Sequence, residues 1–401
     1  MTRPTLPITE FLADPDSTLK KARDMGPVVQ TDIGLLVVQH EAVRALGQSD
    51  KVRPAFSRIL QQFGIHSGTF YDFMSISPLD MEGDEHRKWR ALMARTFTPR
   101  SVERLRPFLR AQADLLIDEL LPLGRCDFVQ AYARRLPALG LCELIGVPPA
   151  DREAFSGWAD TIGLGFNFIL LPTKIKEVDE ALERLLDYAD RLAAARRKDP
   201  QDDLVTRISA ALDEEAGLDE VMVKSSIAGL VFAGHETTKN QLGWMIQVLS
   251  QFPAEWDRVA REPERVRDTI EEVLRFRSTA TGFGRLTLED IELFGERIPA
   301  GTTLNASIWS ANRDEREFPK PMEFAVDENR AGVQLAFGQG AHHCLGAALA
   351  RAELQESLLA LSQRMTCPKV EEGAVFLPPL GINGPTSLPI SYQLRSRSND
   401  A

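Results

Sequence analysis

The residues around Cys344 place a nucleophilic sulfur among glycine, histidine and aromatic side chains. The segment from Phe337 to Gly346 reads Phe-Gly-Gln-Gly-Ala-His-His-Cys-Leu-Gly, and an amphipathic stretch, Leu345 to Arg364, follows it. A thiolate there would lie at a helix N-terminus, where backbone amides and the helix dipole stabilise negative charge. The glycines let a large flat group approach the backbone closely. This pattern suits a thiolate that serves as an axial ligand of haem.

Two other interpretations of this segment are open from the residue types. A free cysteine is often simply a small buried side chain of the core. His342, His343 and Cys344 could instead bind zinc, which accepts nitrogen and sulfur ligands. Three ligands in one short loop would crowd, however, and no matching Cys/His pair occurs elsewhere in the sequence. The pattern therefore favours haem.

The segment also resembles the haem-binding signature of the cytochromes P450, Phe-Gly-x-Gly-x-His-x-Cys-x-Gly. The matching residues are Phe337, Gly338, Gly340, His342, Cys344 and Gly346. The resemblance implies haem b with an axial thiolate from Cys344, and a mainly α fold with a smaller β region. It also implies a single domain over residues 1–401, with the haem between a long oxygen-binding helix and the helix after the Cys loop.

A polar group interrupts the middle of a long predicted helix. The segment from Ala233 to Thr238 reads Ala-Gly-His-Glu-Thr-Thr, and an acid followed by two β-branched alcohols is unusual inside a helix. On residue types alone it could be a kink with one polar face. The resemblance implies that Ala233 lies against the haem, that Thr237 lies where oxygen binds and that Glu236 relays protons. Oxygen activation needs protons, and a hydroxyl backed by an acid can deliver them.

A Glu-x-x-Arg pair, Glu272 and Arg275, lies between the oxygen helix and the Cys loop. Residues three apart on a helix share a face, although most such pairs are solvated surface pairs. The resemblance implies a buried structural pair that holds the core near the Cys loop. Its usual third partner is an arginine. The expected position here holds Glu328, so Arg330 is the predicted substitute.

Four basic residues are candidates to hold the haem propionates, which need cations and hydrogen-bond donors. His86 and Arg90 are four residues apart and share one predicted helix face. The resemblance assigns both to the propionates, together with Arg285 and His342. The alternative for each residue is an ordinary surface cation.

The composition is that of a globular protein. The chain has 401 residues, of which 43% are hydrophobic and 26% charged. Its net charge of -11 argues against nucleic-acid binding. The four cysteines show no framework spacing, which favours a reducing compartment. Residues 1–30 hold no apolar run long enough for a signal peptide or membrane anchor, so we expect a cytoplasmic protein without membrane contact.

The elements that must position these residues are mostly helical. Pro27–Gln30 and Leu35–Val38 predict a β-hairpin. Apolar spacing predicts helices over residues 104–121, 178–197, about 219–252 and 263–277. Short β-type runs occupy residues 286–308, and strand and turn signals return after Thr366.

A cluster of cations suggests how electrons reach the site. Its members are Arg87, Lys88, Arg95, Arg100 and Arg104, with Arg351 and Arg364 after the cysteine. A basic patch on an acidic protein suits an acidic ferredoxin by electrostatic steering. We therefore expect a ferredoxin and an NAD(P)H-dependent ferredoxin reductase as partners.

The substrate is predicted only as an apolar small molecule. The residues that the resemblance assigns to its pocket are Phe70, Met74, Phe166, Phe168, Gly229, Phe283 and Ile382. The apolar stretch 163–171, with two glycines, could be a mobile lid or an ordinarily packed segment. Ser75, Ser77 and Asn383 could orient a ligand by hydrogen bonds.

The resemblance implies a haem-thiolate monooxygenase that inserts one oxygen atom from O2 into an apolar organic molecule, by hydroxylation or a related oxidation. Electrons would come from NAD(P)H through the reductase and ferredoxin. Two alternatives stay open. A peroxygenase of the same fold would use peroxide directly, although such proteins usually lack the acid–alcohol pair found here. A haem protein that only binds or senses a ligand would need no proton relay.

Overall fold

The computed structural model describes residues 5–214, 220–326 and 334–395, and these residues are mostly helical. The helices are α1 Ile8–Ala13, α2 Pro15–Met25, α3 His40–Gln48, α4 Phe56–Gln62, α5 Thr69–Ser75, α6 Gly83–Thr96, α7 Pro99–Leu120, α8 Arg135–Ile145, α9 Arg152–Gly163, α10 Leu171–Lys198, α11 Leu204–Glu214, α12 Glu220–Leu249, α13 Pro253–Arg261, α14 Val266–Phe276, α15 Ile308–Ala311 and α16 Ala347–Arg364. The predicted mainly α fold class is confirmed, and the predicted long helix corresponds to α12.

The strands form one larger sheet and three small ones. They are β1 Thr5–Leu6, β2 Val28–Thr31, β3 Gly34–Val37, β4 Val52–Pro54, β5 Arg125–Asp127, β6 Gly282–Thr287, β7 Ile291–Leu293, β8 Glu296–Ile298, β9 Thr303–Ser307, β10 Lys369–Val370, β11 Val375–Phe376, β12 Pro385–Ser387 and β13 Pro389–Ser391. The main sheet has the order β1-β2-β3-β9-β6-β4. The predicted hairpin is confirmed, with Val28 opposite Val37 and Thr31 opposite Gly34. Gly34 has a φ of 116°, a conformation that favours glycine.

The N-terminus of α7 shows how local sequence sets the helix boundaries. The Thr98 hydroxyl accepts a hydrogen bond from the Ser101 N–H, and the Thr98 N–H donates to the Ser101 hydroxyl. Pro99 follows at the first helical position, where its missing N–H costs nothing. The helix then buries Leu109 and Leu116 and packs against α16.

The helix after the Cys loop differs from the amphipathic stretch that its sequence suggests. Glu353, Ser357 and Ser362 on α16 are all 0% exposed. The reason is tertiary, because α7, α12, α13 and α14 all pack around α16. Burial on several sides accounts for polar residues facing the interior, and burial raises the pKa of Glu353 to about 8.

Among the described residues, no helix combines the length and the apolar composition needed to cross a membrane. The assignment of residues 1–401 to one domain stays a prediction.

Candidate active site

The loop before α16 carries Cys344 and depends on two glycines. Gly338 and Gly340 have φ values of 70° and 73°. A Cβ atom on Gly340 would lie 2.4 Å from the carbonyl oxygen of Gly47, so the loop packs directly against α3. The Cys344 N–H donates to the carbonyl oxygen of Phe337 at 2.8 Å and closes the loop.

The sulfur of Cys344 is accessible but lies among protein atoms and positive charges. Cys344 is exposed, yet burial raises the pKa of its thiol. The N–H groups of Gly346 and Ala347 act in the opposite direction, as do the guanidinium groups of Arg90 and Arg351, and all of these stabilise the thiolate.

The other cysteines do not compete for this role. Cys142 is buried, and Cys126 and Cys367 are partly buried. Burial raises the pKa of Cys126 to about 11 and that of Cys142 and Cys367 to about 12. In the part of the chain that the structure describes, no group of three or more His, Cys, Asp or Glu side chains could hold a metal ion. The zinc interpretation of the Cys loop therefore has no structural support.

An open strip runs along α12, the helix that packs against α16. Gly229, Ala233 and Thr237 are four residues apart and so share one face of the helix. Ala233 is exposed although α12 passes through the core, and a Cβ on Gly229 would meet no atom within 4 Å. The Thr237 hydroxyl donates to the carbonyl oxygen of Ala233 at 2.6 Å. A flat group can therefore approach this face closely.

Glu236 points away from this strip. Its carboxylate is ion-paired with Lys239 and accepts a hydrogen bond from the Asn240 amide at 2.8 Å. A Cβ on Gly163 would lie 2.6 Å from the Cγ of Glu236, so the side chain rests against the end of α9. Neighbouring helical residues point about 100° apart. The structure therefore does not bring Glu236 and Thr237 together.

A polar network that was not predicted from the sequence holds Glu236. The Oδ1 atom of Asp160 lies 3.1 Å from the Lys239 ammonium and 2.9 Å from Nε2 of His235, and its Oδ2 atom pairs with Arg134. Burial acts to raise the pKa of Asp160, but the hydrogen bond from His235 and the nearby positive charges outweigh it and hold that pKa well below its ordinary value. His235 and Lys239 are four residues apart and share a helix face, so the sequence could have predicted that they act together. No local sequence pattern indicates that Asp160 belongs to the same network.

The structure brings the four predicted propionate ligands together. The rings of His86 and His342 stack with their centroids 4.0 Å apart. Arg90 donates to the carbonyl oxygen of His343 at 2.6 Å. The charge of Arg285 acts on both histidines and contributes to lowering their pKa values. These residues come from α6, β6 and the Cys loop.

This cluster carries surplus positive charge. Burial, followed by the charge of His342, lowers the pKa of His86 to about 4, and burial lowers that of Arg285 to about 10. The carboxylate of Glu82 lies 3.2 Å from Nε2 of His342 and offsets part of this charge. A group with carboxylates would find cations and hydrogen-bond donors here. The sulfur of Cys344, the open strip on α12 and this cluster therefore fit a haem.

The Glu-x-x-Arg pair is buried and extensively bonded. Arg275 makes two 2.7 Å hydrogen bonds to the carboxylate of Glu272, and the two residues are 3% and 6% exposed. Arg275 also donates to the carbonyl oxygens of Asn312 and Pro321, each at 2.9 Å. The surface-pair alternative is excluded by this burial. Arg330, the predicted third partner, lies outside the described residues.

Of the seven predicted pocket residues, Gly229 lies on the open strip of α12 and the other six divide into two groups. Phe166, Phe168, Phe283 and Ile382 line a cavity of about 250 Å³. Phe70 and Met74 are 0% exposed and pack in the core instead. They have no accessible surface to offer a ligand in this structure.

The three side chains predicted to orient a ligand already donate hydrogen bonds to backbone carbonyl oxygens. The Ser75 hydroxyl donates to the carbonyl oxygen of Tyr71 and the Ser77 hydroxyl to that of Met74. The Asn383 amide donates to the carbonyl oxygen of Leu377.

The stretch 163–171, for which both a mobile lid and an ordinarily packed segment were open, is anchored by hydrogen bonds. The Asn167 amide donates to the carbonyl oxygens of Pro378 and Ile382, at 3.0 and 3.3 Å. The Ile382 N–H donates to the carbonyl oxygen of Phe166 at 2.8 Å. The stretch 163–171 therefore spans the end of α9 and a short 3₁₀ turn, and is fastened to the loop before β12.

Comparison with known proteins identifies the family. Residues 157–369 match the family model described as cytochrome P450. The chain is 32% identical over 393 residues to luteothin monooxygenase of Streptomyces thioluteus, covering 96% of each chain. It is 36% identical over 335 residues to the mycinamicin IV hydroxylase/epoxidase of Micromonospora griseorubida, covering 82% of this chain and 81% of that one. A solved cytochrome P450 from Chondromyces apiculatus superposes with a TM-score of 0.88 at 27% identity, covering 98% and 99% of the two chains.

Proteins of this family bind haem through a cysteine thiolate, and the loop, the helix strip and the cation cluster described above have the arrangement that such a haem needs. The chain therefore belongs to the cytochrome P450 family and is a P450 monooxygenase.

Proposed function

We propose that Cys344 is the axial ligand of a haem b, and that the enzyme inserts one atom of O2 into an apolar organic molecule. The observation that carries this proposal is the accessible Cys344 thiol, which lies next to N–H groups and cations that stabilise a thiolate. His86, Arg90, Arg285 and His342 would hold the propionates. Phe337, Gly338 and Gly346 would border the haem on the cysteine side, and Ala233 on the other.

When bound, the haem would supply the oxygen-activating chemistry. Side chains of the protein would deliver the protons. The Thr237 hydroxyl donates to the carbonyl of Ala233, so its oxygen is free to accept a hydrogen bond from water. It can give up a proton after rotating away from that carbonyl. Glu236 would bring protons from solvent once its carboxylate leaves Lys239 and turns toward Thr237.

We expect Thr237→Ala to separate electron flow from product formation. The variant should still consume NAD(P)H, but product per NAD(P)H should fall at least about tenfold, because positioned proton donors contribute roughly 10²–10⁴ to rate. Peroxide should accumulate instead. The measurement is product and hydrogen peroxide per NAD(P)H, with a substrate found by screening apolar compounds. Thr237→Ser keeps the hydroxyl and should stay coupled. Full coupling in Thr237→Ala would remove Thr237 from the proposed role.

We also propose that electrons arrive from NAD(P)H through a reductase and a ferredoxin at a basic surface. Three of the predicted cations pair with acids: Arg87 with Asp84, Arg351 with Glu271, and Arg364 with Asp118. Lys88, Arg100 and Arg104 are exposed, and they pair with no acid in the described part of the chain. These three residues are the best candidates to attract an acidic ferredoxin.

The triple variant Lys88→Glu, Arg100→Glu, Arg104→Glu should slow reduction by ferredoxin. We expect the second-order rate constant at low salt to fall roughly 10-fold or more, because steering by surface charge changes association rates by about 10–10³. The control variant replaces Lys176, Arg184 and Arg191, which are exposed on α10, by glutamate. Stopped-flow absorbance of the haem measures the rate of reduction in both variants. Equal rates in the two triple variants would argue against this docking surface.

The reaction itself is tested with isotopically labelled oxygen. Under ¹⁸O2, with NAD(P)H and both redox proteins, the product should gain one ¹⁸O atom. Product formed only when peroxide is added would favour the peroxygenase alternative. The cytoplasmic location stays a prediction.

A further inference from the structure

An arginine in the second turn of α16 reaches back to the Cys loop. Arg351 lies seven residues after Cys344 in the sequence, and the central carbon of its guanidinium is 4.4 Å from the centroid of the Phe337 ring. The carbonyl oxygen of Phe337 accepts the hydrogen bond from the Cys344 N–H that closes the loop. A cation over an aromatic face is attracted to it. Arg351 therefore packs on the residue to which the cysteine backbone is bonded.

The positive charge of Arg351 acts on the sulfur of Cys344. It opposes the effect of burial and helps to lower the pKa of the Cys344 thiol, as the charge of Arg90 also does. A cation near a thiolate stabilises the negative charge on sulfur, and groups around a metal ligand tune the metal that it binds. Arg351 can therefore influence an iron atom bound to Cys344 without touching it.

Glu271 on α14 holds this arginine by two hydrogen bonds. The Nε and Nη2 atoms of Arg351 donate to the two carboxylate oxygens of Glu271, at 2.6 and 3.1 Å. Paired bonds of this kind fix the orientation of a guanidinium as well as its position. The side chains of Arg351 and Glu271 are 30% and 34% exposed, and ion pairs near the surface add little to stability. The main effect of the pair therefore falls on the Cys loop.

The carboxylate of Glu271 is also tied to the beginning of the Cys loop. The Gln334 amide donates to Oε2 of Glu271 at 3.0 Å, and the Gln334 side-chain oxygen accepts a hydrogen bond from the Ala336 N–H at 2.7 Å. Ala336 directly precedes Phe337. Glu271 therefore reaches the loop in two ways, through Gln334 at its start and through Arg351 over its aromatic ring.

We propose that Glu271 and Arg351 are positioning residues that set the reduction potential of the haem iron. Arg351 places a positive charge beside the thiolate, and a positive charge favours the reduced iron because reduction adds negative charge. Glu271 fixes that positive charge in place and offsets part of it. This inference rests on the proposed haem site and adds a control of electron uptake that lies within the chain itself.

Removing one charge at a time should move the potential in opposite directions. Arg351→Gln takes away the cation, so the ratio of reduced to oxidised iron at a fixed applied potential should fall roughly three- to tenfold. Glu271→Gln leaves the cation without its counter-charge, while the amide oxygen can still accept a hydrogen bond from Arg351. The ratio should then rise by a similar factor. A tenfold change corresponds to about 59 mV for a one-electron couple.

The measurement is a redox titration of the haem followed by its absorption spectrum, on protein with its haem content determined. A purely structural role of the pair would shift the potential in the same direction in both variants, because each variant breaks the same contact. Shifts of the same sign, or no shift in either variant, would overturn the proposal.

Arg351→Lys separates the charge from the packing. Lysine keeps the positive charge but can neither make the paired hydrogen bonds nor stack its head group flat on the Phe337 ring. The potential should therefore stay close to that of the wild type. A lysine variant with the potential of Arg351→Gln would contradict the proposal, because the packing of the arginine rather than its charge would then matter.

Glu119→Gln is the matched control, because it removes the same charge from another arginine pair. Glu119 accepts two hydrogen bonds from Arg135, and its neighbour Asp118 pairs with Arg364 in the last turn of α16. A helix of 18 residues is about 27 Å long, so this pair lies at the end of α16 that is remote from the Cys loop. The potential should match that of the wild type. A shift as large as that in Glu271→Gln would mean that net charge alone matters, which would overturn the proposal.

A second readout tests the pair without iron. If the reduced wild type with carbon monoxide lacks the red-shifted Soret band, the haem-thiolate assignment fails on its own. The rate at which iodoacetamide alkylates Cys344, measured by mass spectrometry of its peptide, still reports the charge at the sulfur, because the thiolate is the reactive form. Alkylation should be faster than in the wild type in Glu271→Gln and slower in Arg351→Gln. Equal rates in the three proteins would contradict the assigned effect of the pair.

Discussion

Cys344→Ser is expected to abolish turnover. A serine hydroxyl stays protonated near neutral pH, so the iron would lose the negatively charged axial ligand that favours O–O cleavage. Changing the partners of a metal ligand costs roughly 10–100-fold, so loss of the ligand itself should cost more than about 100-fold. The measurement is product formation with both redox proteins and saturating NAD(P)H, on protein with its haem content determined.

Cys367→Ser is the matched control, because that thiol is partly buried near Leu249 and far from the Cys loop in the sequence. It should retain wild-type turnover. Substantial activity in Cys344→Ser would mean that another group ligates the iron, and the assignment of the Cys loop would then be wrong.

Arg275→Ala is expected to produce the largest loss of stability. The truncation leaves the Glu272 carboxylate buried without its partner, and it also removes donors from the carbonyl oxygens of Asn312, Pro321 and Glu323. Breaking one side of a buried ion pair typically costs about 3–5 kcal/mol. We expect the apparent free energy of unfolding in urea to fall by about that amount, with earlier loss of haem absorbance.

A surface pair of the same spacing provides the comparison. Lys174 and Glu177 are also three residues apart, at 2.8 Å, but their side chains are 42% and 56% exposed. Lys174→Ala should cost less than about 1 kcal/mol. Arg275→Lys keeps the charge but cannot make the paired hydrogen bonds, so it should fall between the two. Similar losses in Arg275→Ala and Lys174→Ala would contradict the structural role of the buried pair.

Local patterns made most of the fold predictable. The hairpin at Val28–Val37 follows from alternating apolar residues around a short turn, and α12 follows from a long helical pattern that stops before Pro253. The Cys loop was found because its glycines, cysteine and aromatic residue lie within ten residues. The burial of α16 was missed, because it depends on the helices around it rather than on its own periodicity.

The features that could not be predicted from the sequence depend on contacts between residues far apart in the chain. Asp160 meets His235 and Lys239 across more than seventy residues, and no local pattern links them. The row formed by Leu36, Asn305 and Gly284 in the main sheet likewise depends on pairing between distant strands. Glu236 was predicted to relay protons beside Thr237, but its direction away from Thr237 depends on Gly163 and Lys239.

Cys344 is proposed to ligate the haem as a thiolate. It is tested most directly by the absorption spectrum of the dithionite-reduced protein with carbon monoxide, in the wild type and in Cys344→Ser. We expect a strongly red-shifted Soret band in the wild type that is lost in the variant. A wild-type band at the position typical of histidine-ligated haem, or no haem absorbance, would contradict it.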